Sequence, residues 1–348
     1  MTIESYGFDK ALLPENSSYL PARITAVHKE RFEIVSDLGE GFARVKTKNY
    51  LMDGEPFPTV GDFVLIEPNP IGDSIIVKTL PRRTFFSRRD PDPKKGEQAV
   101  SANFDYVFIM QSLNADFNER RLERYLALSR KSGAEIVVIL TKADLVEDTT
   151  DYYMRVSRLA PDAYCHAVSA KTGEGVKRLY SYLSPGKTTV FLGSSGVGKS
   201  SLVNALFGRE VMDTNAIRED DDKGRHTTTC RKLLMLDNGA MIIDTPGMRE
   251  LGMWVLEDEL TSVFPDVEAV IGKCRFRNCR HDTEPGCAIR EALANGALSL
   301  KRWQNYQALE SESSATETKA EMLEKKHQRA KDISKFSKVM KKQGKIRF

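Results

Sequence analysis

The sequence predicts an α/β phosphate-loop domain whose motifs run in permuted order, with a small all-β barrel before it and a mostly helical metal-binding segment after it. Three observations carry this. Gly193-Ser194-Ser195-Gly196-Val197-Gly198-Lys199-Ser200 follows an apolar run and opens a helical one. Thr141-Lys142-Ala143-Asp144 and Ser169-Ala170-Lys171, which have the form of a guanine-reading pair, come before that loop rather than after it. Cys274, Cys279, His281 and Cys287 crowd one short stretch near the C-terminus.

The bulk properties set the frame. The chain has 348 residues, enough for two or three domains with cores of their own. Its formal net charge of +3 is uninformative, but its distribution is not: from Glu321 to Phe348 basic residues far outnumber acidic ones. Such a tail suits a polyanionic surface, and a merely solubilising tail has the same composition. No stretch approaches the roughly 18 uninterrupted apolar residues of a membrane span. Met1 to Asn16 lacks the apolar core of a secretory signal. Five cysteines, three of them beside a histidine, argue for a metal site in a reducing, cytoplasmic compartment and against a disulfide framework.

In chain order, residues 1–20 read as a loose arm. Residues 21–84 contain five short β-type runs, at Arg23–Val27, Arg31–Val35, Phe42–Val45, Asp62–Ile66 and Ser74–Val77, with glycines near their ends. Five strands in this length suit an OB-fold, and an SH3-like barrel would read almost the same. Residues 85–102 are polar and basic and read as a linker. Alternation of buried-type strands and helices then runs through residues 103–254: strands at Tyr106–Met110, Glu135–Leu140 and Thr188–Leu192, helices at Asn118–Ser132, Val176–Leu183 and Lys199–Phe207, and a hairpin about Asp237-Asn238-Gly239. Continuous apolar strands alternating with helices indicate a mostly parallel sheet covered on both faces. Residues 255–310 read as helical around the cysteine cluster, and residues 311–348 as a polar run leading into the basic tail.

The chemistry follows from residue types at these positions. In the Gly193–Ser200 loop the glycines let backbone N–H groups converge on phosphate oxygens, Lys199 supplies a point charge for the terminal phosphates, and Ser200 offers a hydroxyl to Mg2+. The helix opening at Lys199, Ser200 and Ser201 aims its N-terminus at the anion. Asp244, at the end of a buried strand, can hold a magnesium-bound water, and Gly247 in Asp244-Thr245-Pro246-Gly247 allows its N–H to approach the terminal phosphate. Between them lies Gly224-Arg225-His226-Thr227-Thr228-Thr229, where Thr228 or Thr229 can complete the magnesium shell in the triphosphate state. Asp144 can accept both N–H donors of the guanine edge, a pattern adenine reverses. Lys142 can lay its stem over the base, and Ser169, Ala170 and Lys171 can present a backbone N–H to the guanine oxygen. Thr141 stands where such motifs usually carry Asn; its hydroxyl can still bond neighbouring backbone, so a weakened brace with retained specificity is expected. Cys274-x4-Cys279-x-His281-x5-Cys287 offers three thiolates and one imidazole, a normal structural zinc set with no open position for catalysis. Lys273, Arg275, Arg277 and Arg280 interleave these ligands and suit phosphate-backbone contact.

With these motifs in place, the chain resembles the ribosome-small-subunit-dependent GTPase A family over roughly residues 20–310. The resemblance rests on Gly224-Arg225-His226-Thr227-Thr228-Thr229, on Asp244-Thr245-Pro246-Gly247-Met248-Arg249-Glu250, on Cys279-Arg280-His281 and on Glu284-Pro285-Gly286-Cys287. It implies a circularly permuted P-loop GTPase domain between an N-terminal OB-fold and a C-terminal zinc domain. It also implies late maturation of the small (30S) ribosomal subunit, 16S rRNA as the contacted RNA, and GTP hydrolysis stimulated by that subunit. A monomer is expected. GTP and GDP, Mg2+ and one structural Zn2+ are the expected ligands. Met248 stands where many GTPases carry a water-orienting glutamine, so His226 on the first switch is the expected alternative; contact with rRNA or packing of its loop are the competing roles. Gly196 argues against a potassium ligand. The rival function is an rRNA-binding scaffold whose nucleotide domain only holds nucleotide, and intact Lys199, Ser200 and Asp244 speak against it.

Overall fold

The computed structural model describes residues 2–15, 17–28, 31–45, 56–89, 97–114, 116–212, 231–244, 264–276, 279–308 and 310–311. The expected switch residues His226, Thr227, Thr228, Thr229 and Gly247, and the basic tail, lie outside them. By contacts the chain divides into two units, residues 1–88 with 99–253, and residues 89–98 with 254–348.

The first unit opens with the barrel. Strands β1 (Leu20–Val27), β2 (Phe32–Ser36), β3 (Gly39–Val45), β4 (Phe63–Glu67) and β5 (Ser74–Thr79) correspond to the five expected runs. They pair in the order β1-β2-β3-β5-β4, and β4 returns to β1, so the barrel closes. The β3–β5 pair is parallel. A simple meander would make every pair antiparallel, so this is the Greek-key arrangement of an OB-fold and not an SH3-like barrel. Ala22, Ile24, Phe32, Ile34, Ala43, Val64, Ile66 and Ile76 fill its interior.

The α/β domain follows, with β8 (Tyr106–Ser112), β9 (Glu135–Thr141), β10 (Tyr164–Val168), β11 (Thr188–Gly193), β12 (Arg231–Met235) and β13 (Met241–Asp244) in the spatial order β10-β9-β8-β11-β13-β12. All neighbours are parallel except the β12–β13 hairpin. Helices α1 (Glu119–Ser132), α2 (Thr150–Leu159) and α3 (Lys199–Phe207) cover the sheet. Alternate residues of β8 serve opposite cores: Val107 and Ile109 join the layer containing Leu122 and Leu126 of α1, while Phe108 and Met110 join that containing Leu202 and Leu206 of α3. Asn118 caps α1 through its side chain, which accepts from Arg121 N at 3.1 Å, and Gly133 ends the helix in the left-handed region. β11 is central, with β8 on one side and β13 on the other, so the loop leaving it stands at the switch point where such sheets bind ligands.

The barrel and the α/β domain share one sheet and one core. β1 pairs antiparallel with β12 through Ala26–Lys232 and Val27–Arg231, giving eleven strands in a row. Arg23, on the face of β1 turned away from the barrel interior, is 1 % exposed. Its guanidinium donates to the carbonyls of Tyr6 (2.5 Å), Asn103 (2.8 Å) and Gly61 (3.3 Å), and Nη1 lies 3.3 Å from the Met241 sulfur. Burial pulls its pKa down to about 9, so it stays charged at neutral pH. Gly61 (φ +86°) is required here: a Cβ would lie 2.1 Å from the Ala102 carbonyl oxygen.

The structure corrects several expectations. The arm at 1–20 is not loose: its first half forms 3-10 turns at Ile3–Tyr6 and Lys10–Leu12, and Ile3, Tyr6 and Phe8 are buried in the shared core. The 85–102 linker contains two paired strands, β6 (Phe85–Arg89) and β7 (Glu97–Ala102), because Phe86 and Val100 bury and Phe86 stacks on Phe104 at 4.7 Å. The helix expected at Val176–Leu183 is a 3-10 helix over Val176–Ser181. β10 and α2 were not anticipated; α2 has one fully buried side chain, Val156, so its pattern carries little helical signal.

The second unit is small and mostly helical among its described residues. It contains α4 (Pro265–Ile271), α5 (Ala288–Ala294) and α6 at residues 300–308. Phe264, Trp303 and Tyr306 form its aromatic core, with Trp303 stacked on Tyr306 at 5.5 Å. Arg302 pairs with Asp266 at 2.8 Å, joining α6 to α4. Among the described residues, no helix is long and apolar enough to cross a membrane.

Replacing Arg23 with Met is expected to lower the unfolding free energy by about 2–4 kcal/mol, because buried carbonyls lose their donor. Denaturant unfolding of the two proteins measures it.

Candidate nucleotide and metal sites

The phosphate loop grows out of the end of β11. Gly193 is held so close to Met110 and Val197 that a Cβ would lie 2.9 Å from Val197 Cγ1 and 3.1 Å from Met110 Cβ. Val197 is buried and anchors the loop, while Ser195 and Gly196 stay exposed. Gly196 (φ +68°) and Gly198 (φ +100°) take left-handed backbone, and Gly198 is the N-cap of α3. The N-terminal N–H groups of α3, beginning at Lys199, Ser200 and Ser201, therefore lead directly from the loop. Lys199 Nζ lies 3.7 Å from Asp244 Oδ1, which brings the loop lysine and the β13 carboxylate together. Burial raises the Asp244 carboxyl above the usual range, and the Lys199 charge opposes that rise.

The base-reading motifs lie at the ends of neighbouring strands β9 and β10. Lys142 sits in the left-handed region (φ +59°), an uncommon place for lysine, and turns the chain from β9 into the short 3-10 turn Ala143–Leu145 that exposes Asp144. Asp144 Oδ1 accepts from Ser169 Oγ at 2.6 Å. That bond holds the carboxyl below its ordinary value, with smaller help from Lys171 and Lys142, so it stands ionised. Ser169 is buried, and its Oγ also accepts from Thr172 N at 3.2 Å. Its loop is closed by Gly173 N donating to the Ser169 carbonyl at 2.9 Å, which leaves Ala170 and Lys171 at the rim.

Thr141 joins the two halves. Its hydroxyl donates to the Val197 carbonyl of the phosphate loop at 2.6 Å, across 56 residues of chain, and lies 3.3 Å from the Gln111 carbonyl of β8. A shorter side chain than the usual Asn thus still bonds loop backbone. One contact went unread in the sequence: Ser194 Oγ donates to Asp116 Oδ2 at 3.0 Å, from a loop that reads as a plain β-to-α turn.

In the second unit Cys274, Cys279, His281 and Cys287 present ligand atoms all within 4.8 Å of one another. His281 Nδ1 is 3.5 Å from Cys274 Sγ and 3.6 Å from Cys287 Sγ, so Nδ1 is the ring nitrogen that faces the thiols. His281 is itself left-handed (φ +63°). The turn that carries it is held by Glu284, whose carboxylate accepts from the N–H groups of Arg280, Asp282 and Thr283 at 2.9, 3.1 and 3.1 Å. Gly286 (φ +75°) lets the chain pass close to Arg275, whose N donates to the Gly286 carbonyl at 3.1 Å. The Trp303 ring meets the His281 ring edge to face at 5.4 Å. Desolvation, with hydrogen bonds to the Cys287 and Cys274 thiols, pushes the Cys279 thiol up to about 11. Four soft or borderline donors converging on one point fit tetrahedral Zn2+.

The chain is similar to known GTPases. The RsgA GTPase family model matches residues 79–254. An ABC transporter model matches residues 176–346, which include the phosphate loop that both classes of nucleotide hydrolase use but not Asp144. "Small ribosomal subunit biogenesis GTPase RsgA 1" of Listeria innocua is 44 % identical over 317 residues, covering 90 % of this chain and 89 % of that one. The small ribosomal subunit biogenesis GTPase RsgA of Leptospira interrogans is 37 % identical over 341 residues, covering 95 % and 94 %. The crystal structure of YjeQ from Thermotoga maritima is similar with a TM-score of 0.61 and 28 % identity, covering 84 % of this chain and 98 % of that one. That of YloQ, described as a circularly permuted GTPase, shares the fold with a TM-score of 0.56 and 21 % identity, covering 87 % and 98 %.

Two outcomes are expected. Asp144→Asn should weaken guanine nucleotide binding by about 10- to 100-fold and favour xanthine nucleotides, whose 2-oxo group accepts from an amide; a competition titration reads this. Cys279→Ser should lose stoichiometric zinc in metal analysis, with a changed near-UV signal from Trp303 against the His281 turn.

Proposed function

The chain belongs to the RsgA GTPase family, and from that premise we propose how its residues carry out GTP hydrolysis in small-subunit biogenesis. The chain is a GTPase acting in maturation of the small ribosomal subunit, the role its relatives' names state. The observation that carries the residue assignment is the Thr141–Val197 hydrogen bond, since it draws the base-reading strand end and the phosphate loop onto one pocket.

In this reading Asp144, braced by Ser169, accepts the paired N–H donors of guanine, with Lys142 over the base and Ala143, Ala170 and Lys171 at its rim. The N–H groups of Ser194, Ser195, Gly196, Val197, Gly198, Lys199 and Ser200 surround the phosphates, with Ser201 behind them on α3. GTPase chemistry in this family brings Mg2+ with the nucleotide. Ser200 and Asp244 would hold it, completed by Thr228 or Thr229. When bound, the ion neutralises charge that develops on the phosphates. Lys199 shares that task. Met248 cannot orient water, which leaves His226 as our choice for positioning the nucleophile. The Gly247 N–H would sense the terminal phosphate.

The remaining assignments concern partners. Cys274, Cys279, His281 and Cys287 hold a structural zinc ion that supports the small unit's fold. Lys273, Arg275 and Arg280 around it, together with the barrel and the basic tail, are proposed to contact 16S rRNA. The permutation makes Asp244 and the switch after it run C-terminally into this unit. Loss of the terminal phosphate would then act on the zinc-binding unit through continuous chain, so ribosome affinity would follow nucleotide state. We further propose a monomer resident in the cytoplasm.

GTP turnover by the purified chain should be slow and rise on adding small subunits; assistance in trans reaches about 10³–10⁵ in other GTPases. Association with the subunit should be tighter with a non-hydrolysable GTP analogue than with GDP. Lys199→Ala should abolish stimulated turnover while leaving salt-sensitive rRNA association. Sedimentation with each nucleotide measures the binding, and equal turnover with and without subunits would reject the stimulated mechanism.

A further inference from the structure

The phosphate loop has a charged neighbour that its motif does not include. Asp116 Oδ2 accepts from Ser194 Oγ at 3.0 Å and from Arg121 Nη2 at 2.9 Å, so one carboxylate oxygen joins the loop to a guanidinium. Arg121 also donates to the Asp116 carbonyl. The turn that presents this pair is built to hold it. Asn114 Oδ1 accepts from Ser112 Oγ at 2.7 Å and from Asp116 N at 3.0 Å. Phe117, the next residue, packs edge to face on Tyr152 at 5.1 Å and lies under the Arg155 guanidinium at 4.5 Å.

Both charges are locally unfavourable without each other. Asp116 places a negative charge one hydrogen bond from a loop whose ligand is a polyanion. Arg121 is in the first turn of α1, where the helix dipole disfavours a cation. Its guanidinium side chain is 23 % exposed and that of Asp116 is 44 % exposed, so the pair is partly shielded and its field is only partly screened. Among the described residues Asp116 is the carboxylate that Arg121 meets.

We propose that Asp116 and Arg121 form a positioning and affinity-setting pair for the phosphate loop: Asp116 orients Ser194, and Arg121 cancels the repulsion that Asp116 would otherwise exert on the nucleotide's phosphates. The inference rests on the assignment of Gly193–Ser200 as the GTP phosphate site. It requires opposite signs for the two single substitutions. Arg121→Ala leaves the carboxylate uncompensated and should weaken GTP binding by about 3- to 10-fold, with a smaller loss for GDP, which carries less charge. Asp116→Asn keeps an oxygen acceptor for Ser194 and frees Arg121, so affinity should rise. The double variant should return close to the original affinity, and Arg121→Lys should retain it. These changes should appear in KM with kcat little altered, and should shrink at high salt.

The test is equilibrium titration of the full chain and its four variants with fluorescent GDP and with a non-hydrolysable GTP analogue, at low and high salt. Opposite signs with recovery in the double variant support the pair. Asp116→Asn weakening both nucleotides as Arg121→Ala does, with no recovery in the double variant, would overturn it. Binding of neither nucleotide by the unaltered chain would overturn the phosphate-site assignment and this inference together.

Discussion

A buried guanidinium holds this molecule's first unit together. Arg23 belongs to the barrel by sequence, yet it donates to the amino-terminal segment at Tyr6, to the barrel loop at Gly61 and to the entry of the α/β domain at Asn103. A cation inside a core is costly unless its donors are met, and here carbonyl oxygens from three segments meet them. Asn103 takes left-handed backbone (φ +54°) and itself donates to the Gly61 carbonyl at 3.2 Å, so the acceptors are tied to one another as well. The arrangement turns two domains that could have been joined by a flexible tether into one body with a common core.

That body explains how a permuted chain assembles an ordinary nucleotide pocket. The position of β11 between β8 and β13 is a property of the sheet, and sheet order does not depend on where the chain begins. What the permutation changes is which loops must be tied across long stretches of chain. Thr141 supplies one such tie. Its hydroxyl bonds backbone, so it constrains loop position without adding charge near the phosphates.

Much of this was legible in the sequence. Motifs dominated by local backbone needs, such as the glycines of the phosphate loop and the Cys274–Cys287 ligands, declare themselves by spacing. Buried parallel strands declare themselves as apolar runs, as at Glu135–Thr141. Features that depend on tertiary partners were silent. Ile3, Tyr6 and Phe8 have no helical or strand period, because their burial comes from a surface made elsewhere in the chain. Phe86 and Val100 were obscured by the charged residues between their strands. Arg23 did leave a trace, a charge inside the otherwise apolar run Leu20–Val27, but nothing local reveals its three acceptors. Asp116 gave none, since a polar turn after a strand needs no special explanation until Ser194 is found beside it.

The short β1–β12 seam has a bearing on what can be cut away. On that side the nucleotide-binding sheet has no free margin, because β1 occupies it and the barrel then closes on itself through β4. Within the eleven-stranded sheet, β10 is the strand that leaves a flank open. An excised α/β domain would therefore bare the N–H and C=O groups of β12 along with apolar surface normally covered by Phe63 and Leu65. The barrel is thus a chaperone-like cover that the catalytic half carries on its own polypeptide, and fragments lacking it would tend to self-associate.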